Sequence, residues 1–540
     1  MYYLQSLASS TTLPRAPFPE DAGVSSKAVL AFLKEVEDAN LEMHSFMVVR
    51  GGKVACERYR APFEPKYRHQ MWSVSKSFTA TALGIAIGEG RLTLDTLVLD
   101  VFPEYRPKKR DGKLERLSFR HLVSMTSGKS PPYLSPKGEG ADWVKSYVDA
   151  PWYNEPGVEF RYINENFYII SAALVRVLGL SLTDYLTPRL FGPLGVADPW
   201  WETDNRGVEA GGWGLYCRME DLAKFLRCYQ QGGQWEGRQL IPEAWVREAT
   251  VFQTPCVGLH KACRYGYGLG FWMNPGEGYR ANGMFSQFGM DFVDHDGLFV
   301  CNCSLAEEEI LQDLIFKYFP ASFIEPGSEP PVPGFHEALA ASKVEEAPAA
   351  SRRVPALESR IGGRTIRLRK YRLLDTLGFA FGSIPAIVNA KTAVKPCQIN
   401  GITMRFEADG LRFSWSEGAQ KNDVFCAMNG GYSEELIHVG GIDYKMLCFA
   451  RWNGDDTLLV QLRGIETIGT QRFTFRFNGP RVKLNMRTTP AIESIAEFLF
   501  EGAVFLFKSP IILKALRMVI SLLPRIAEPK ARGRMKQSKQ

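Results

Sequence analysis

The sequence predicts an N-terminal part of mixed helices and strands, α+β or α/β in class, followed by a β-rich part. Three observations carry this. Before residue 320, helical stretches such as 26–39 and 167–178 mix with short strands such as 45–50 and 298–304. A Pro-, Glu- and Ala-rich stretch from Pro320 to Arg352 then breaks the pattern. Beyond it, alternating runs punctuated by glycine dominate. A chain of 540 residues has room for several domains, and 45% hydrophobic with 23% charged residues is an ordinary globular balance. With 65 Lys and Arg against 59 Asp and Glu, the net charge of +6 is far from the basic stripe of a nucleic-acid binder, so no nucleic-acid partner is expected.

Taken in order, Met1 to Pro14 has no basic segment followed by an apolar one, so the expected compartment is the cytoplasm. The ten cysteines are scattered with no C-x-x-C pair, which predicts reduced thiols rather than a disulfide scaffold or a zinc ribbon. Asp294, His295 and Asp296 in D-H-D-G read as a turn between strands, and no metal site is expected. The run Glu325-Pro326-Gly327-Ser328-Glu329-Pro330-Pro331 marks a linker. The organisation read from these signals is a first domain over 1–325, a linker over 326–356, a β-rich domain over 357–489, apolar or amphipathic helices over 490–527, and a basic tail over 528–540.

The strands of the β-rich domain are expected within Ile399 to Trp415, Tyr444 to Arg451, Thr457 to Arg463 and Gln471 to Phe477. After them, Glu493, Glu497, Glu501 and Lys508 keep every charge-free run below the roughly 18 residues that a membrane span needs. Ile512, Leu513, Leu516, Val519, Ile520 and Leu523 share one helical face. Its candidate partners are the β domain, a second subunit in a homo-oligomer, or a membrane surface in peripheral contact.

The chemistry concentrates in Met71-Trp72-Ser73-Val74-Ser75-Lys76-Ser77-Phe78-Thr79-Ala80, which opens a helix through Ala86. Ser73 and Lys76 form S-x-x-K, a spacing that puts a hydroxyl and an amine on one helical face, where the amine can help deprotonate the hydroxyl. At a helix start, free backbone N–H groups also favour developing negative charge on Ser73. Alone the tetrapeptide reads equally as a Ser cap with a solvated Lys. Tyr162-Ile163-Asn164 supplies the second piece, again before an apolar helix. A phenol near an ammonium is a base able to take a Ser proton and return it to a leaving group.

These motifs, with His121-Leu122-Val123-Ser124-Met125-Thr126-Ser127-Gly128 and with Gly211-Gly212-Trp213-Gly214-Leu215 before Asp221-Leu222-Ala223-Lys224-Phe225, resemble the serine β-lactamase-related hydrolases. That family takes in class C β-lactamases, D-alanyl-D-alanine carboxypeptidases, esterases and 6-aminohexanoate-dimer hydrolases. The likeness covers roughly residues 20 to 320. It implies an α+β fold, a β-lactamase/transpeptidase-like antiparallel sheet flanked by helices. It also implies Ser73 as nucleophile, Lys76 as its activator, Tyr162 as general acid/base and Asn164 as a polar positioning group.

The family's Lys/His-Thr/Ser-Gly strand is best matched by Ala281-Asn282-Gly283-Met284, followed by Phe285-Ser286-Gln287. The resemblance makes Asn282, Gly283 and Met284 substrate-binding or oxyanion candidates, with the Met284 and Ser73 N–H groups as the oxyanion pair. Ala281 cannot hold a substrate carboxylate as a cation would, so the strand looks more like the 6-aminohexanoate-dimer hydrolase and esterase branch. Strand alternation directs Arg280 away from the face that Ala281 uses. The expected function is hydrolysis of a small-molecule ester or amide through an acyl-enzyme, without metal or cofactor. The alternative is a catalytically retired scaffold acting through its C-terminal part.

Overall fold

The computed structural model describes residues 12–108, 111–130, 140–256, 264–341, 348–368, 399–417, 420–439, 442–491 and 531–536, with isolated positions between 511 and 518. The chain divides into two compact units, Met1–Pro136 with Gly140–Val344, and Glu345–Gln540 with Lys137–Glu139.

The first unit is built on a six-stranded antiparallel sheet. Its main elements include α1 (Ser26–Asp38), β1 (Met43–Arg50), β2 (Lys53–Tyr59), α2 (Ser75–Gly88), α3 (Asn164–Leu178), α4 (Met219–Gln230), β3 (Trp272–Met273), β4 (Tyr279–Gly283), β5 (Gln287–Phe292), β6 (Gly297–Cys303), α5 (Glu308–Ser322) and α6 (Phe335–Ala341). The strand order is β2-β1-β6-β5-β4-β3. Both faces of the central strands are covered, so β1 and β6 are apolar at consecutive positions and the strict in/out alternation of a one-sided sheet is lost. Phe46, Val48, Phe299 and Cys301 pack toward Phe32 of α1 and Phe319 of α5. Met47, Val49, Leu298 and Val300 face the other layer, with Phe78 of α2, Ile169 of α3 and Leu222 of α4. From Ser75 to Ala86 every residue of α2 is buried, so the helix has no solvent face and its polar side chains turn to partners inside the unit. The D-H-D-G segment is the β5–β6 turn, with Asp296 in the left-handed region at φ 48°.

This observed antiparallel sheet between helical layers is the α+β arrangement expected. The boundary falls at 344, later than the expected 325. The reason is α6: Phe335 and Leu339, one helical turn apart, bury into the α1–α5 layer, a two-residue apolar signal hidden in Pro- and Glu-rich sequence. The stretch taken as linker also holds the first residues of α7 (Pro355–Ile361).

The second unit is a ten-stranded sheet. Its strands are β7 (Thr365–Leu368), β8 (Ile399–Phe406), β9 (Gly410–Glu417), β10 (Gln420–Ala427), β11 (Ser433–Val439), β12 (Ile442–Asn453), β13 (Thr457–Gly464), β14 (Thr470–Asn478), β15 (Arg481–Thr489) and β16 (Ala531–Lys536). The order is β10-β9-β8-β7-β16-β15-β14-β13-β12-β11, and a parallel pairing of β10 with β12 at Ala427 and Phe449 turns the sheet back on itself into a barrel-like form. Phe413 of β9 meets Phe473 and Phe475 of β14 at ring distances of 5.9 and 6.0 Å although four strands separate them in the sheet, so aromatic side chains fill the interior. The expected basic tail over 528–540 is in part a strand. Residues 531–536 form a strand between β7 and β15, with Ala531 and Met535 buried and Arg532 and Arg534 exposed, an alternation that Gly533 and the flanking charges disguise. The expected apolar helices over 490–527, and any membrane or subunit contact through them, lie almost wholly outside the described residues.

Candidate active site

Ser73 lies in a 3-10 turn, Trp72–Val74, that runs directly into α2. Trp72 adopts φ 49°, a left-handed conformation that costs a bulky residue about 1–3 kcal/mol and persists only when its surroundings hold it. They do. Ser75 Oγ donates to Trp72 O at 2.6 Å and accepts from Leu215 N at 3.0 Å, and the Trp72 ring packs edge-on against Phe285 at 5.1 Å.

Lys76 reaches back from the first turn of α2 and is almost completely buried. Its Nζ lies 2.8 Å from Ser73 Oγ, 2.7 Å from Asn164 Oδ1 and 2.6 Å from the Gly212 carbonyl. The last two oxygens only accept, so two N–H bonds are committed to them. The third direction, toward Ser73, carries an N–H in the ammonium and the lone pair in the free amine. A neutral Lys76 therefore presents its lone pair to the Ser73 hydroxyl. Gly212 is required here because a Cβ on it would lie 2.5 Å from Asn164 O, closing the gap through which the carbonyl meets the amine.

Asn164 is the first residue of α3, and Tyr162 lies two residues before it, ahead of the extended Ile163. The half-buried Tyr162 ring stacks on Trp272 at 5.3 Å and 24°, with Tyr267 edge-on at 6.4 Å. Lys76 Nζ stands 4.6 Å from the centre of the Tyr162 ring, close enough for the ring to stabilise a positive amine. The S-x-x-K and Y-x-N motifs thus meet at one nitrogen.

The opposite wall is β4. A Cβ on Gly283 would fall 2.4 Å from Met71 O and 3.3 Å from Ser73 N, so the strand backbone passes directly against the Ser73 turn. Ala281, on the same face of the strand, is fully buried.

Asn282 departs from the expectation. It occupies the other face of β4, where its Nδ2 donates to Glu308 Oε2 and its Oδ1 accepts from Gln312 Nε2, both at 3.3 Å. Strand alternation, which the motif match ignored, sends its amide to α5 instead of to Ser73. Arg280 shares that face, is fully buried, and donates to Met273 O and, at 3.2 Å, to Asn274 Oδ1.

A second buried amine is spent elsewhere. Lys129 Nζ donates to Val148 O at 2.7 Å and Ala150 O at 2.8 Å above the Trp152 ring, and burial lowers its pKa to about 8. Sequence reasoning missed the Gly212 carbonyl, the Trp272 platform, and Gln287 and Glu308 behind the β4–β5 turn. Gly211-Gly212 and Gln287 stood in recognised motifs, but nothing local marked Trp272 or Glu308. Among the described residues no cluster of His, Cys, Asp or Glu is arranged to hold a metal ion.

The family model named Beta-lactamase matches residues 34–303, half of the chain, including Ser73, Lys76, Tyr162, Asn164 and Gly283. The chain belongs to the Beta-lactamase family. Within it, the sequence is similar to a 6-aminohexanoate-dimer hydrolase of Paenarthrobacter ureafaciens, 28% identical over 218 residues, 37% of this chain and 55% of that protein. It is also similar to a D-aminopeptidase of Brucella anthropi, 30% identical over 161 residues, 28% of this chain and 31% of that protein. The chain thus spans about half or less of the length of these relatives. A solved structure titled putative 6-aminohexanoate-dimer hydrolase from Bacillus anthracis aligns with 58% of this chain and 87% of its own at 18% identity and a TM-score of 0.47.

Proposed function

We propose that this member of the Beta-lactamase family is a serine hydrolase that cleaves an ester or amide of a small molecule through an acyl-enzyme on Ser73. The observation that carries the reading is the Lys76 amine held by two fixed acceptors with its remaining direction on Ser73 Oγ. In the reaction, neutral Lys76 takes the hydroxyl proton as Ser73 Oγ attacks the carbonyl carbon. The resulting oxyanion is met by the N–H groups of Ser73 and Met284, each such donor contributing about 2.7–4 kcal/mol to the transition state. Tyr162, beside the positive amine, passes the proton to the leaving alcohol or amine, and the acyl-enzyme forms as the leaving group departs. Water, deprotonated by the same pair, then attacks the acyl carbon and regenerates the Ser73 hydroxyl. Asn164 orients Lys76 throughout.

The substrate reading is nearer to esterases and 6-aminohexanoate-dimer hydrolases than to true β-lactamases. Ala281 offers no cation where β-lactam-acting members hold a carboxylate. The expected compartment remains the cytoplasm.

The test is turnover of a p-nitrophenyl ester series and a matching anilide series. The reading expects a burst of nitrophenol stoichiometric with enzyme, followed by slower steady turnover, both absent in Ser73→Ala. Hydrolysis that survives Ser73→Ala would overturn it.

A further inference from the structure

The turn that carries the Met284 N–H has an unusual backbone. Phe285 and Ser286 both adopt left-handed conformations, at φ 64° and 63°, which non-glycine residues rarely share in succession. Something must hold them, and the structure shows two side chains on opposite sides of the same peptides.

Gln287 is fully buried at the start of β5. Its Nε2 donates to the carbonyls of Met284 at 3.3 Å, Phe285 at 3.0 Å and Cys303 at 2.8 Å. Its Oε1 accepts from Asn302 Nδ2 at 3.1 Å and Cys303 N at 3.4 Å, so its amide cannot rotate without losing bonds to β6.

Glu308, the first residue of α5, stands on the other side. The N–H groups of Phe285 and Ser286 face its carboxyl, its Oε2 accepts from Asn282, and Arg280 lies near enough to favour its charge. Its Oε1 is buried and makes no full hydrogen bond among the described residues. Burial raises its pKa to about 7 against these favourable contacts. No part of the reaction described above uses it.

The geometry points to a positioning role for Glu308: opposite Gln287, it clamps the two peptides after Met284, so that the Met284 N–H alone of the turn's three is left to face Ser73. The carbonyls of Met284 and Phe285 are pulled toward Gln287 while the N–H groups of the same two peptides turn toward Glu308. The two peptides are thus hydrogen-bonded on their carbonyl side and faced by a carboxyl on their N–H side. The residue before the clamped pair inherits the direction, and Gly283, pressed against Ser73 N, fixes it from the other side. The role rests on the acyl-enzyme reading. Its chemical content is pre-organisation, since a donor misplaced by about 1 Å forfeits on the order of a hundredfold in rate.

The experiment compares wild type, Glu308→Gln and Glu308→Ala in the full chain at pH 8, by p-nitrophenyl acetate kinetics and by the second-order rate of fluorophosphonate labelling at Ser73. Thermal melting is run alongside. The role predicts kcat lower by roughly 10–100-fold in Glu308→Ala with KM within about threefold, a parallel fall in labelling rate, and partial recovery in Glu308→Gln, which keeps one acceptor oxygen. A merely structural residue would lower the melting temperature and leave kcat of the folded fraction unchanged. Folded variants with wild-type kcat and labelling rate would overturn the role while leaving the hydrolase reading standing. A wild type that neither turns over nor labels would overturn both. Should Glu308→Ala fail to fold, the isosteric Glu308→Gln decides alone: a reduced kcat at an unchanged melting temperature supports the role, and an unchanged kcat overturns it.

Discussion

The chemistry of the site depends on which atoms surround one amine. Lys76 meets Ser73 by a spacing of three along the chain, Asn164 across 88 positions and the Gly212 carbonyl across 136. The first contact is legible in the sequence because helical geometry enforces it. The second was legible only through the Y-x-N match, and the third not at all, since a backbone carbonyl leaves no residue signature. Substituting Lys76→Ala is expected to lower kcat roughly 10²–10⁴-fold, the range for losing a positioned general base, with the protein still folded. Matched kinetics and melting curves check this. Gly283→Val places side-chain carbon within 2.4 Å of Met71 O, so β4 must retreat from Ser73. The expected outcome is at least about a tenfold loss of kcat with a smaller change in KM, read on the same ester.

Elements decide what residues alone leave open. Asn282 and Gly283 are neighbours in sequence and sit in one recognised motif, yet the register of β4 sends one toward α5 and the other toward Ser73. A motif match carries residue identity without strand direction, which is why Asn282 was misassigned. Similarly, β1 and β6 are apolar at consecutive positions because helices cover both faces, and this obscures their alternation while leaving their length readable. The sheet also buries a charge. Asp291 of β5 is fully buried beside Tyr279, with Oδ1 accepting from Gln230 at 2.8 Å, and burial raises its pKa to about 7 against the lowering effect of those bonds. A carboxyl whose folded pKa exceeds its unfolded value leaves the native state holding the extra proton. Its effect therefore favours folding at low pH and is withdrawn as pH rises from about 4 to about 7. Asp291→Asn keeps the shape without the ionisation. The variant is expected to melt close to wild type at pH 4 and several degrees higher at pH 8. Equal melting differences at both pH values would contradict this origin.

For the whole molecule, sequence and structure agree on two differently built parts, and they differ on the junction and the end of the chain. The composition shift near residue 320 was visible, but α6 shows that a Pro-rich stretch can still place two apolar residues into a core. The strand at 531–536 shows the converse, a basic segment whose two buried positions complete a sheet begun about 165 residues earlier. Non-local pairing of this kind has no local signal. The barrel-like unit has its own aromatic interior, so Phe413→Ala is expected to cost about 3–5 kcal/mol in that unit while Ser73 keeps its labelling rate in the first. Denaturation followed by tryptophan fluorescence, alongside labelling, checks both halves of that statement. Whether Ser73 is the nucleophile of an acyl-enzyme is read by peptide mass spectrometry after fluorophosphonate treatment. The account predicts one adduct per chain, on the peptide containing Ser73, lost in Ser73→Ala and slowed in Lys76→Ala. An adduct on any other residue, or none on a folded wild-type protein, would contradict it.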